Sequence, residues 1–77
     1  MNIKETVFNI VASVCETEVG NITEQTTVGD FPGWDSMGQL SILQQVEEAL
    51  EISFEPEELM EMEDVADIIK AVESKLQ

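Results

Sequence analysis

The residues with the most chemistry to offer are Asp35, Ser36 and Met37. They follow a Phe31-Pro32-Gly33-Trp34 turn and open an apolar helical pattern. A serine there can act as a nucleophile, hold a phosphate, or simply belong to a helix cap. Nucleophilic catalysis needs a base to take the hydroxyl proton. The chain has no histidine, no lysine lies near Ser36, and Gly33-Trp34-Asp35-Ser36-Met37 is not the G-x-S-x-G elbow. Size argues the same way. A chain of 77 residues buries only about 60% of its unfolded surface, which leaves little room for a deep cleft. The expected class is a binding or carrier protein, not an enzyme.

Two other chemistries remain. Between Glu47 and Asp67 lie ten acids and no base. They lack the D-x-[DN]-x-[DN]-G spacing of a calcium loop, so diffuse cation condensation is expected and no metal site. A phosphate suits Ser36 better. With Asp35 as N-cap, Ser36 takes the first helical position, where unpaired N–H groups and the helix dipole favour an anion. An exposed hydroxyl there could carry a phosphoester without straining the helix. Ordinary capping accounts for the same two residues and is the commoner explanation on local geometry alone.

The elements that must position Ser36 are helical. Ile3, Val7, Ile10, Val11 and Val14 recur at helical spacing, which predicts a helix over residues 2–15 with Asn2 as its cap and Glu5 in capping-box position. Cys15 ends the stripe as a small buried hydrophobe. Residues 16–35 are rich in turn formers, a long stretch for a compact domain, and read as an ordered loop pinned by Val19, Ile22, Val28 and Phe31. A second helix is predicted over 36–50. Ile42, Val46 and Leu50 form its core line, while Met37 and Leu40, with Leu43 between, form another beside Gln44, Glu47 and Glu48. An apolar strip rimmed by acids is a docking surface if the second line stays exposed. Pro56 starts a short third helix, 56–61, with Leu59 inward. Val65, Ile68, Ile69, Val72 and Leu76 predict a last helix capped by Asp64, with Lys70 and Lys75 toward its C-terminal end. The expected architecture is a single all-α domain, residues 1–77. It is a small three-to-four-helix bundle with a long loop between the first and second helices.

Charge narrows the partners. Seventeen acids face three lysines and no arginine, for a net charge of −14. Nucleic acid and anionic membranes are excluded as partners, and proteins with basic patches are favoured. Cys15 is the lone cysteine, so no internal disulfide is possible. With no signal-peptide pattern and no long apolar run, the expectation is a soluble, monomeric, cytoplasmic chain.

The motif and its surroundings resemble the acyl carrier protein family and the related thiolation domains. The likeness rests on Asp35-Ser36-Met37 standing for the family's D-S-L at the start of the second helix, on the acidic run, on the length, and on the order of elements across nearly the whole chain. It implies that Ser36 receives 4′-phosphopantetheine from coenzyme A through a phosphopantetheinyl transferase. The arm's thiol then carries an acyl group as a thioester, and Asp35 caps the helix and assists the transferase. Met37, Leu40, Gln44, Glu47 and Glu48 are the implied partner surface. It would meet an acyl-loading ligase or acyltransferase and ketosynthase-type or other enzymes with basic docking patches. Ile42, Val46, Leu50, Phe54, Leu59, Val65 and Ile68 or Ile69 would line a core that shelters an acyl chain in some members.

The departures are specific. Gly38 and Ser41 stand where fatty-acid-synthesis members commonly have acids, and Gln44 replaces an apolar residue. Gly38 is expected to weaken the helix by about 0.5–1 kcal/mol relative to Ala. Gly33-Trp34-Asp35-Ser36 followed by Phe54-Glu55-Pro56-Glu57-Glu58-Leu59 looks like a free-standing carrier of a fatty-acid, polyketide or other specialised acyl-transfer pathway. Two alternatives stand beside it. One is a peptidyl or aminoacyl carrier loaded by an adenylating ligase. The other is an unmodified acidic helical adaptor that holds a basic partner.

Overall fold

The structure, a computed structural model, describes residues 2–76. Its elements are α1 (Ile3–Cys15), a 3₁₀ turn (Val19–Asn21), α2 (Ser36–Leu50), α3 (Pro56–Glu61) and α4 (Val65–Leu76). Among the described residues the only extended pairing is one antiparallel bridge, Thr27 to Asp64. The fold is thus the all-α bundle expected, with its long loop between α1 and α2.

Apolar spacing explains the packing. Val7, Val11, Ala12 and Cys15 of α1, Ile42, Leu43 and Val46 of α2, and Val65, Ile68, Ile69 and Val72 of α4 share one buried core. Each long helix is capped at its start. Asn2 Oδ1 accepts the Glu5 N–H at 3.2 Å, and Asp64 Oδ1 accepts the Asp67 N–H at 2.8 Å. The ends of α1 and α2 are less ordinary. Glu16 and Glu51 both close their helices in the left-handed region at φ 55, where a side chain is disfavoured by roughly 1–2 kcal/mol. Glu16 and Thr17 donate back to Ser13 and Ala12, and Ile52 to Glu47, so the last carbonyls are paired.

The loop is ordered but pinned differently from expectation. Ile22 is buried and Phe31 half-buried, whereas Val19 and Val28 are exposed. The anchors are instead Trp34 and Thr26, both buried, and a backbone seam to the far end of the chain. Val28 donates to Glu63 O at 3.1 Å, Val65 to Thr26 O at 3.0 Å, and Ala66 to Glu24 O at 3.0 Å. Stitching to a neighbouring segment satisfies loop amides that a buried apolar side chain alone would not. One further correction falls at the end of α4. Leu76 is exposed, because the helix has by then run past the core.

Candidate functional site

Ser36 is exposed and begins α2. Asp35 before it is extended, with φ −108 and ψ −165, and its Oδ1 accepts the Gly38 N–H at 2.8 Å. Its carbonyl takes the first helical bond, from Gln39 N at 2.8 Å. The capping geometry read from Asp35 is therefore present.

The turn before Asp35 is held by close backbone packing. A Cβ on Gly33 would stand 2.6 Å from the Val14 carbonyl oxygen of α1. A Cβ on Gly38 would overlap the Gly33 carbonyl oxygen outright. Gly38 is thus no simple weakness in the helix. It lets the turn lie directly against the first turn of α2, and the expected propensity cost is outweighed by a contact that no other residue permits. Trp34 is fully buried behind this turn. Its Nε1–H donates to Gln39 Oε1 at 2.6 Å, and Gln39 Nε2 donates onward to the Met62 carbonyl at 2.6 Å. One side chain of α2 therefore links the turn to the segment between α3 and α4.

Beside Ser36, α2 and α3 flank a shallow groove of about 360 Å³. Leu43 and Met62 are its buried lining, with Leu40 and Met60 exposed at its sides. Met37 is 80% and Leu40 61% exposed, so the second apolar line of α2 faces solvent while Leu43 turns inward. Gln44 and Glu48 are exposed on the same helix. Glu47 is placed differently from the free docking acid expected. It is half-buried, and its Oε2 accepts the Phe54 N–H at 2.8 Å. That bond anchors the α2–α3 connection, which otherwise leaves an amide unpaired. Leu50 and Leu59 are only half-buried against the core. Among the described residues no cluster of three or more acid or cysteine side chains is arranged to hold a metal ion, and no helix is long and apolar enough to cross a membrane. The Cys15 thiol is buried, and burial pushes its pKa up, which makes it a poor nucleophile.

A family model described as the phosphopantetheine attachment site matches residues 5–72. The chain belongs to that family. No curated protein matches it. Membership makes this a non-catalytic carrier that bears 4′-phosphopantetheine covalently and engages a phosphopantetheinyl transferase and pathway enzymes. The residues present fit the group: an exposed hydroxyl on a rigid helix start, with open space alongside.

Sequence reasoning singled out Asp35, Ser36, Met37 and Leu40, which the carrier gathers at one end of α2. It passed over Gln39 and Met60, took Gly33 and Trp34 only as part of a turn, and read Val28 as a loop anchor when it lines the groove. A lone buried tryptophan needs an acceptor for its N–H, and that need was a usable signal. The partner at Gln39 lay outside i, i+4 bookkeeping because the cap intervenes.

Proposed function

We propose that Ser36 is the attachment residue, and that the chain is a dedicated acyl carrier for a fatty-acid, polyketide or other specialised acyl-transfer pathway. The observation that carries this reading is the exposed hydroxyl at the first position of α2, directly after the Asp35 cap. In the transfer, Ser36 Oγ bonds to phosphorus as the nucleotide part of coenzyme A leaves, and the hydroxyl proton passes to a base of the transferase. The finished arm supplies a thiol that holds the acyl group as a thioester. Asp35 keeps the serine's backbone in register by holding Gly38 N–H.

The partner surface in this reading is Met37, Leu40, Gln44 and Glu48, all exposed on α2. Apolar contact there would give affinity, and the acids would steer basic patches on a loading ligase, acyltransferase or ketosynthase-type enzyme. Glu47 contributes field while its carboxylate serves the fold. A single carrier domain working as a monomer in the cytoplasm agrees with the net charge of −14 and the lone, buried thiol.

The test is loading. Apo protein incubated with coenzyme A and a broad-specificity transferase gains the mass of one phosphopantetheine, and Ser36→Ala gains none. An unchanged wild-type mass with several such transferases, or a gain that survives Ser36→Ala, overturns the assignment. Loading by an adenylating ligase with an amino acid, and not by acyl donors, would move the protein to the aminoacyl carriers.

A further inference from the structure

We infer that Gln39 determines cargo class. It lies as a polar bar across the groove beside Ser36 and directs this carrier toward short or polar acyl groups held outside the bundle, against long alkyl chains buried in it. The inference rests on the reading of Ser36 as the attachment residue.

A chain tethered at Ser36 meets first the open space beside that serine. The groove beside it runs between α2 and α3, and Gln39 shares its lining with Leu43 and Met62. Within that lining the Gln39 amide bridges from Trp34, before α2, to the Met62 carbonyl, after α3. Both ends of that amide are committed: Oε1 to the Trp34 indole N–H and Nε2 to the Met62 carbonyl, each at 2.6 Å. Trp34 is completely buried and Met62 nearly so. Among the described residues no buried side-chain nitrogen or oxygen lacks a partner, so the network is closed as it stands.

A long alkyl chain that enters between α2 and the Met62 segment displaces this amide. That strands an indole N–H and a backbone carbonyl in apolar surroundings, and hydrocarbon replaces neither bond. Unpaired buried polar groups are the expensive outcome in a protein interior. A short chain avoids this by resting at the groove's outer sides against Leu40 and Met60. A polar cargo gains nothing from burial and stays in water.

The protein reports on this directly, because Trp34 is its only tryptophan and gives a single indole N–H resonance. Butyryl-, octanoyl- and dodecanoyl-coenzyme A would each be loaded by a promiscuous transferase, with intact mass confirming the product. In the wild-type carrier the indole resonance stays in place through the series. The melting temperatures of the loaded forms agree within about 2 °C, since core burial of even a few methylenes would move the midpoint of so small a domain by more. In Gln39→Ala the bar is gone, and melting rises with chain length by more than about 4 °C from butyryl to dodecanoyl. A displaced indole resonance or a rising melting temperature in the wild-type series overturns the inference. So does a folded Gln39→Ala without chain-length dependence. If Gln39→Ala does not fold, the wild-type series decides alone. Absence of any mass gain is a different failure: it removes the Ser36 assignment, and the inference with it.

Discussion

In the turn that leads into α2, Trp34 is fully buried and Gly33 and Gly38 sit where a Cβ would strike backbone. Asp35 and Gln39 also use their side chains in short hydrogen bonds there. Across the groove α3 is six residues long and buries none of them completely. Met60 is 84% exposed, and the helix is held by half-buried Leu59, by the Glu55 N–H on Glu58 at 2.8 Å, and by Lys75 Nζ on Glu58 at 2.7 Å. One wall of the site is constrained by steric contact and the other by polar bonds open to water. The first kind tolerates almost no change, while the second gives way by degrees. On the proposed assignment of Ser36, a fixed helix start and a yielding facing wall let the carrier present the same serine to differently shaped enzymes.

Gly38→Ala is the strongest way to break this comparison. Helix propensity alone predicts a gain of about 0.5–1 kcal/mol. The overlap with the Gly33 carbonyl predicts the reverse, a loss on the order of 3 kcal/mol from forced displacement of backbone. The melting temperature should fall by more than about 10 °C on that figure. A neutral or stabilising result would show that the turn can slide and that its rigidity is overstated.

Trp34→Phe comes next. It keeps most of the buried volume but removes the N–H that Gln39 accepts, leaving Gln39 Oε1 without its donor. The expected loss is about 2 kcal/mol, part cavity and part unpaired acceptor. It also sharpens the comparison, because Gln39 reaches Met62 O with its other end. Amide exchange in α3 should quicken in this variant more than exchange in α1. Equal acceleration in both helices would mean that the turn and α3 are not specifically linked.

The long helices could be read from the sequence because their cores are periodic. Ile42 and Val46, like Val65, Ile68, Ile69 and Val72, are buried where the spacing put them. Ser36 at a helix start followed from Asp35, whose preference for the cap is local. The contacts that rigidify the site were not legible, for physical reasons. Gly33 and Gly38 matter through a backbone-to-backbone approach between segments, which no single stretch encodes. The seam of residues 24–28 with 63–66 is made largely of main-chain bonds, joined by one side-chain bond from Thr27 Oγ1 to Glu63 O, and main-chain bonds carry almost no side-chain signature. Val19 and Val28 showed the opposite error: their apolar character suggested anchors, yet short connections leave them facing water. Glu47 read as one more surface acid, because its use by Phe54 N–H depends on how the chain turns after Glu51.

The smallest effect expected is at Glu58, and it tests the yielding wall. The Lys75 ammonium hydrogen-bonded to its carboxylate, joined by the Glu55 N–H, lowers the pKa of Glu58 below the ordinary glutamate value. A carboxyl lowered on folding contributes stability that is fully present above the unfolded pKa and is lost as pH falls through the folded one. Protection factors of α3 amides should therefore drop as acidity increases below the ordinary glutamate range. In Lys75→Met that pH dependence should flatten, while overall melting at neutral pH hardly moves, since a partly exposed pair is still screened by water and salt. Local protection is the right observable because the global one is confounded. With a net charge of −14, acidification also relieves repulsion among the acids and pushes whole-molecule stability the other way. Protection factors in α1, far from Glu58, supply the control for that background. If α3 and α1 respond to pH alike in the wild-type carrier, the ion pair holds nothing, and α3 is kept against the groove by Leu59 and Met62 alone.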